Sequence, residues 1–324
     1  MRITVGKFAQ QLHAIGLANG HGGRHLGCEA AIRTLQLSSI LNSSKVPIKW
    51  KTVIQETVTG RKWDQLQGVI SNSRNLATAV NSALQEGIGC GDKEELLVVG
   101  GDHSCAVGTW SGVSSAVRPH GDLGLIWVDA HLDAHTPESS PSGNIHGMPV
   151  AHLLGYGNED LVSVLGNFPK IKPENLVFVG IRSYEPPEQE LLHSLRVKIF
   201  YDDEVAKRGI SDVMNEAIER VSSKTYGFGM SIDLDGFRVD DAPAVGTPEA
   251  GGIVADEFLK FIKTHPMEKL LVTEIVEFLP EKDDEAKTSE KLVRDLVEHI
   301  YLPRFSRYAV EEELEERRNK RAFA

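Results

Sequence analysis

Short runs that are apolar at nearly every position, bounded by Gly, Asp or Pro, recur at residues 96–100, 123–129, 176–180, 197–201, 226–233 and 270–275. A strand with one wet face alternates apolar and polar residues. A continuous run must be covered on both faces, which is the habit of parallel strands. Between the runs, residues 75–86, 212–221, 254–264 and 289–301 carry apolar positions at helical spacing and are long enough to cover a sheet face. The alternation predicts a three-layer α/β/α sandwich with a mainly parallel sheet, spanning 1–324 as one domain with a charged tail at about 305–324. In the last helix Ser289 is placed to cap, and Leu292, Val293, Leu296 and Ile300 fall along one side. The acidic and basic residues of 311–321 read as a solvated or frayed end, and 281–287 as polar surface.

Composition narrows the classes of function. With 41% hydrophobic and 25% charged residues the chain has enough apolar surface for a large core. A formal net charge of −11 argues against broad binding to nucleic acid or anionic membranes and leaves a cationic small substrate unrepelled. Cys28, Cys90 and Cys105 are scattered and odd in number, so neither a disulfide framework nor a thiolate zinc site is indicated, and a reducing cytoplasm fits. Residues 1–17 lack the apolar run of roughly 7–15 residues of a secretory signal. No stretch approaches the roughly 20 apolar residues of a membrane span.

In open parallel sheets the ligand crevice lies beyond the carboxyl ends of the strands. Three of those ends carry metal-type donors: Gly-Gly-Asp-His-Ser at 100–104, Asp-Ala-His-Leu-Asp at 129–133 and Asp-Leu-Asp-Gly at 233–236. In extended chain, residues i, i+2 and i+4 share a side, which would put Asp129, His131 and Asp133 on one face and Asp233 with Asp235 on another. Four carboxylates crowded together repel one another unless cations neutralise them. With His103 and His131 they form a donor set able to hold two divalent ions, and its mix of oxygen and imidazole suits manganese, with iron, cobalt or nickel as substitutes. A single Asp-x-Asp is more often a turn or cap, and a single His more often a core residue. The weight comes from three motifs at three strand ends.

On these motifs, and on residues 98–296 more widely, the sequence resembles the ureohydrolase family and, within it, the arginases. The resemblance implies that His103, Asp129, Asp133 and Asp233 hold one manganese and His131, Asp129, Asp233 and Asp235 the other, with Asp129 and Asp233 bridging. Ser-Gly-Asn-Ile-His-Gly-Met-Pro at 142–149 is similar to the arginase version of the following loop and favours an amino-acid substrate bound by Ser142 and Asn144. Gly246-Thr247-Pro248 also matches, and Glu277 becomes the expected partner of the substrate guanidinium, whose planar fork of N–H donors suits a carboxylate. His135 stands where arginases usually carry Asn, Glu185 where a shorter Asp meets the α-amino group, and Phe-Arg-Val at 237–239 where Leu-Asp-Pro is usual. The glycine-rich stretch 20–25 fits the pattern poorly and reads as a loop, with a histidine metal site there the lesser reading.

The implied reaction is hydrolysis of L-arginine to urea and L-ornithine. Asp133 would hold the attacking water and pass its proton to the leaving amine, His146 would exchange protons with solvent, and Glu277 would orient the guanidinium. The resemblance also implies a homo-oligomer, a trimer or hexamer. The rival readings are another guanidino substrate such as agmatine, a dinuclear phosphoesterase, and a non-catalytic metal-binding relative. The phosphoesterase is disfavoured because only His265 and His299 follow the Asp233 motif, both in expected helices.

Overall fold

A computed structural model describes residues 11–23, 25–56, 62–90, 95–265 and 267–322. Residues 1–10 of the segment read for a leader, and the tail's side chains from 307 onward, lie outside the described residues. The six apolar runs form β3 (Leu96–Gly100), β4 (Leu123–Val128), β5 (Leu176–Ile181), β6 (Lys198–Tyr201), β7 (Gly227–Asp233) and β8 (Leu270–Val276). Two further strands, β1 (Leu12–Ala18) and β2 (Ile48–Gln55), complete a sheet of order β2-β1-β3-β8-β7-β4-β5-β6 in which every pairing is parallel.

Alternate residues of the central strands feed two cores. Val99, Ile126, Val177 and Ile232 face a layer that includes Val213, Ala217, Phe258, Phe261, Leu296 and Ile300. Val98, Leu125, Trp127, Phe178 and Val272 face Leu76, Val80, Trp110 and Val113 on the other side. The sandwich therefore has three layers, and each fully buried large side chain contributes about 1.5–3 kcal/mol of transfer free energy. The expected helices are found as Lys62–Cys90, Ile210–Ser222, Ala255–Thr264 and Thr288–Ala322. Leu292, Val293, Leu296 and Ile300 are all buried on one side of the last of these. Ser289 does not cap it. Asp284 and Asp283 accept from the N–H groups of Thr288, Ser289 and Glu290, while the Ser289 hydroxyl accepts from Ala244 N–H. His299 lies in that helix, but His265 is the residue just past the end of Ala255–Thr264.

A fifth long helix, Ala106–Val117, is almost wholly buried. Its glycines, serines and valines are poor helix formers, so its pattern is weak in isolation. Burial selects them for another reason: a Cβ on Gly108 or Gly112 would lie 2.9 Å and 2.6 Å from backbone oxygens of Ser73 and Ala77 in Lys62–Cys90. Close approach of the two backbones needs those glycines.

The connections place β3, β8, β7 and β4 side by side in mid-sheet, although the chain passes from β3 to β4 directly. That reversal opens a crevice at their carboxyl ends, where a parallel sheet receives its ligand.

Candidate metal centre

β3 ends at Gly100, and Gly101 donates its N–H to Leu17 O and Asn19 Oδ1. The Asp102 carboxylate then caps the short helical turn His103–Cys105 by accepting from Ser104 N–H, and also accepts from Gly22 N–H at 2.8 Å. This holds His103 over the crevice, its ring stacked on Trp127 with centroids 4.1 Å apart. His103 Nδ1 lies 3.2 Å from Asp129 Oδ2, 3.1 Å from Asp133 Oδ2 and 3.1 Å from Asp233 Oδ2. On the other side, His131 Nδ1 lies 3.1 Å from Asp235 Oδ2 and 3.5 Å from Asp129 Oδ1. Asp129 thus belongs to both groups, with one oxygen toward each histidine.

The six donors expected from the strand ends do meet, but not through the pleat. β4 stops at Val128, and Asp133 takes a left-handed backbone with φ +47°. Asp235 sits in a turn, Leu234–Gly236, whose N–H is accepted by Asp233 Oδ1 at 2.8 Å. Tight turns stabilised by the aspartates' own hydrogen bonds bring the oxygens round, and an extended segment would have sent them along the strand axis.

The electrostatics are those of carboxylates crowded together in a buried site. Burial raises Asp233 and Asp235, and pushes Asp133 up to about 6 with Asp129 adding to it. Burial opposes ionisation of Asp129 too, but the neighbouring His103 and His131, with the His131 N–H donating to its Oδ1, hold it well below the usual carboxylate range. Both histidines are raised, since the carboxylates outweigh the burial that disfavours their cations. His103 Nδ1 is buried and has no hydrogen-bond partner of acceptable geometry, although three carboxylate oxygens surround it. An orphaned nitrogen ringed by oxygens is costly unless a cation sits between them. The groups His103, Asp129, Asp233 and Asp129, His131, Asp235 each have ligand atoms near enough to share one ion. The donor set fits divalent metal.

Glu277 follows β8 and is likewise left-handed, with φ +61°, its N–H bonded to Gly101 O at 2.8 Å. Non-glycine residues pay for that conformation, and such strain gathers at functional sites. Its Oε1 accepts from His103 N–H at 2.8 Å and lies 3.1 Å from His146 Nδ1, and the Cys28 thiol is 3.6 Å from Oε2. Burial opposes ionisation of Glu277, yet His146 and the His103 amide hold it below its ordinary value. Burial likewise disfavours the His146 cation, but the hydrogen bond and charge of Glu277 raise it to about 9. The loop at 142–147 is docked by His146 N–H donating to Gly22 O, so the glycine-rich stretch is a loop that supports the site. His21 pairs with Glu56 at 2.7 Å and belongs to none of the donor groups found among the described residues.

The outer wall holds His135 and Glu185, two of the residues that set this sequence apart from the usual arginase pattern, whereas Phe237 is buried in the core. His135 Nε2 lies 2.9 Å from Glu185 Oε2 and 3.3 Å from Glu188 Oε2. Glu185 is the N-cap of the helix Pro186–Ser194 and forms a reciprocal capping pair with Glu188. Burial pushes Glu188 up to about 8, whereas the His135 hydrogen bond lowers Glu185. Ser142 and Asn144 line the same cavity of about 300 Å³, together with Asp133, His135, His146, Asp233 and Glu277. Sequence reasoning missed Glu188, Cys28 and Glu274. Glu188 had a signal, the spacing of a capping box after Glu185, and so did Glu274, a lone acid inside the apolar run of β8.

The chain matches the Arginase family over residues 19–302. It is 40% identical over 229 residues to the arginase of Bacillus caldovelox, covering 70% of this chain and 74% of that one. The crystal structure of arginase from Bacillus subtilis superposes with a TM-score of 0.78 at 34% identity, covering 90% of this chain and 98% of that chain. The arginase of Entamoeba histolytica, solved in complex with L-ornithine, gives a TM-score of 0.77 at 29% identity over 90% of this chain and 98% of that one. Motifs, crevice and likeness agree, and the chain belongs to the arginase family.

Proposed function

We propose that the chain hydrolyses the guanidinium group of L-arginine to urea and L-ornithine at a dinuclear manganese centre held by His103, Asp129, His131, Asp133, Asp233 and Asp235. The observation that carries it is the unpartnered His103 Nδ1 among three carboxylate oxygens, with Asp129 facing both histidines. Two such ions, with iron, cobalt or nickel as substitutes, would supply the Lewis acidity that makes water nucleophilic near neutral pH.

The chain's own residues account for the rest. Glu277, buried and held ionised, is suited to accept N–H donors from the guanidinium. Asp133 borders the same cavity and can hold the attacking water and carry its proton from the nucleophile to the departing amine. His146, next to Glu277 and less buried than the metal donors, can return that proton to solvent. The wall of His135, Ser142, Asn144, Glu185 and Glu188 offers the Glu185 carboxylate to an α-ammonium group and neutral donors to an α-carboxylate. L-ornithine in the Entamoeba relative supports an amino-acid ligand. Family resemblance alone supports a trimer or hexamer, and the scattered cysteines support a reducing, cytoplasmic setting.

The test is urea release from L-arginine by purified protein reconstituted with Mn²⁺, beside a metal count. Turnover with two ions per chain is expected, and no urea from the metal-loaded protein would reject the activity. Agmatine in parallel separates the nearest rival, since faster turnover of agmatine would assign the wall to a decarboxylated substrate.

A further inference from the structure

Behind His103, away from the cavity, a second carboxylate lies where no charge is needed for packing. Glu274 is in the middle of β8 and fully buried, facing the same layer as Val272 and Val276. Its partner across the ladder is Ser231 of β7, and the Ser231 Oγ lies 2.6 Å from Glu274 Oε2. Ser231 Oγ is in turn 2.9 Å from His103 Nε2. Trp110 Nε1–H also donates to Oε2 at 2.9 Å, and the Cys105 thiol reaches Oε1 at 3.6 Å. A buried acid among apolar residues is costly, and nothing in the packing of two sheet strands asks for one.

The direction of these hydrogen bonds follows from the chemistry of the groups. Glu274 Oε2 accepts from the Ser231 hydroxyl, which spends its proton there and is left with lone pairs. Ser231 can therefore only accept from His103, which places a proton on Nε2. In the neutral ring that a metal ligand requires, Nδ1, ringed by Asp129, Asp133 and Asp233, is then the nitrogen that carries the lone pair. Trp127, stacked on the ring at an interplanar angle of 10°, holds its plane. Metal-ligating histidines in general donate their second N–H to an oxygen that fixes the tautomer and raises ligand basicity.

We infer that Glu274 is a positioning residue that acts through Ser231 to set the tautomer and strengthen the donor power of His103, and so the affinity of the cation on the His103 side of the centre. The inference rests on His103 being a metal ligand. The His131 side has no part in this relay, so the effect is selective for one of the two ions.

The experiment titrates metal-free wild-type protein, Glu274→Gln and Ser231→Ala with Mn²⁺, reading free Mn²⁺ by its electron paramagnetic resonance signal. Each variant is expected to bind one ion as wild type does and the other about 10–100-fold more weakly, the usual scale for such supporting partners. Ser231→Thr, which keeps the hydroxyl, should restore the weaker affinity. Wild-type binding of both ions by the variants, or equal weakening of both, would overturn the inference, because lost packing does not choose between ions. If Glu274→Gln does not fold, Ser231→Ala decides alone. Wild-type protein that takes up no Mn²⁺ would overturn this inference together with the metal centre itself, whereas normal wild-type binding with unaltered variants rejects the relay only.

Discussion

On the floor of the cavity, His103, Asp129 and Asp233 are buried at the ends of β3, β4 and β7, all in the middle of the sheet. The outer wall instead joins His135, Glu185 and the loop of Ser142 and Asn144, which come from separate turns and are in part open to solvent. Aspartate carboxylates accepting from neighbouring backbone N–H groups fix the floor, whereas pairs of side chains such as His135 with Glu185 join the wall. A floor of this kind tolerates little change and keeps its chemistry. A wall of paired side chains can exchange one residue for another, which is where His135 and Glu185 depart from the usual arginase residues.

The sharpest way to break that contrast is Asp129→Ala. It removes the carboxylate that faces both histidines, and loss of Lewis-acid assistance worth several kcal/mol should cut kcat by about 10³-fold or more, with metal content falling in parallel. Retained metal and turnover would show that the floor does not work as a unit. Next in size is stability. A Cβ on Gly101 would stand 1.7 Å from Asn19 O, while one on Gly147 meets nothing within 4 Å. Gly101→Ala should therefore destabilise by about 3 kcal/mol, and Gly147→Ala by less than about 0.5 kcal/mol. Thermal unfolding of the pair reads the difference, and equal melting temperatures would erase it.

A smaller effect is expected from His135→Asn, which removes the imidazole that ties Glu185 and Glu188. Steady-state kinetics should show KM for L-arginine changed by about three- to ten-fold, the scale of one hydrogen bond, with kcat within about two-fold. A large fall in kcat at unchanged KM would move His135 from binding to chemistry. The smallest effect is in the pH dependence of stability. His146 is raised from 6.5 to about 9 by Glu277, so its contribution is complete below 6.5 and is lost as pH rises through about 9. The melting-temperature difference between metal-free wild type and His146→Asn should therefore shrink from pH 6 to pH 10. A difference that stays constant would mean the pair carries no charge.

What could be read from the sequence follows the range of the signal. Continuous apolar runs report burial on both faces, so β3 to β8 were legible to within a residue or two, and motifs at their ends named the side chains that the structure brings together. Helical periodicity likewise foretold the buried face of Thr288–Ala322. β1 was hidden because His13 and Gly16 interrupt its run, and β2 because an edge strand is only half covered. Ala106–Val117 was hidden because its glycines answer to a neighbouring helix and not to helix propensity.

The amino-acid sequence by itself therefore determined the layers, the parallel sheet and which carboxylates and histidines would gather at its carboxyl end, since each depends on residues close along the chain. Only the tertiary structure decided that Glu188 stands beside His135, that Gly22 holds the His146 loop, and that Glu274 lies behind His103. Those neighbours are joined by the order of strands in the sheet, and pairing between distant segments leaves no periodic trace in either segment alone.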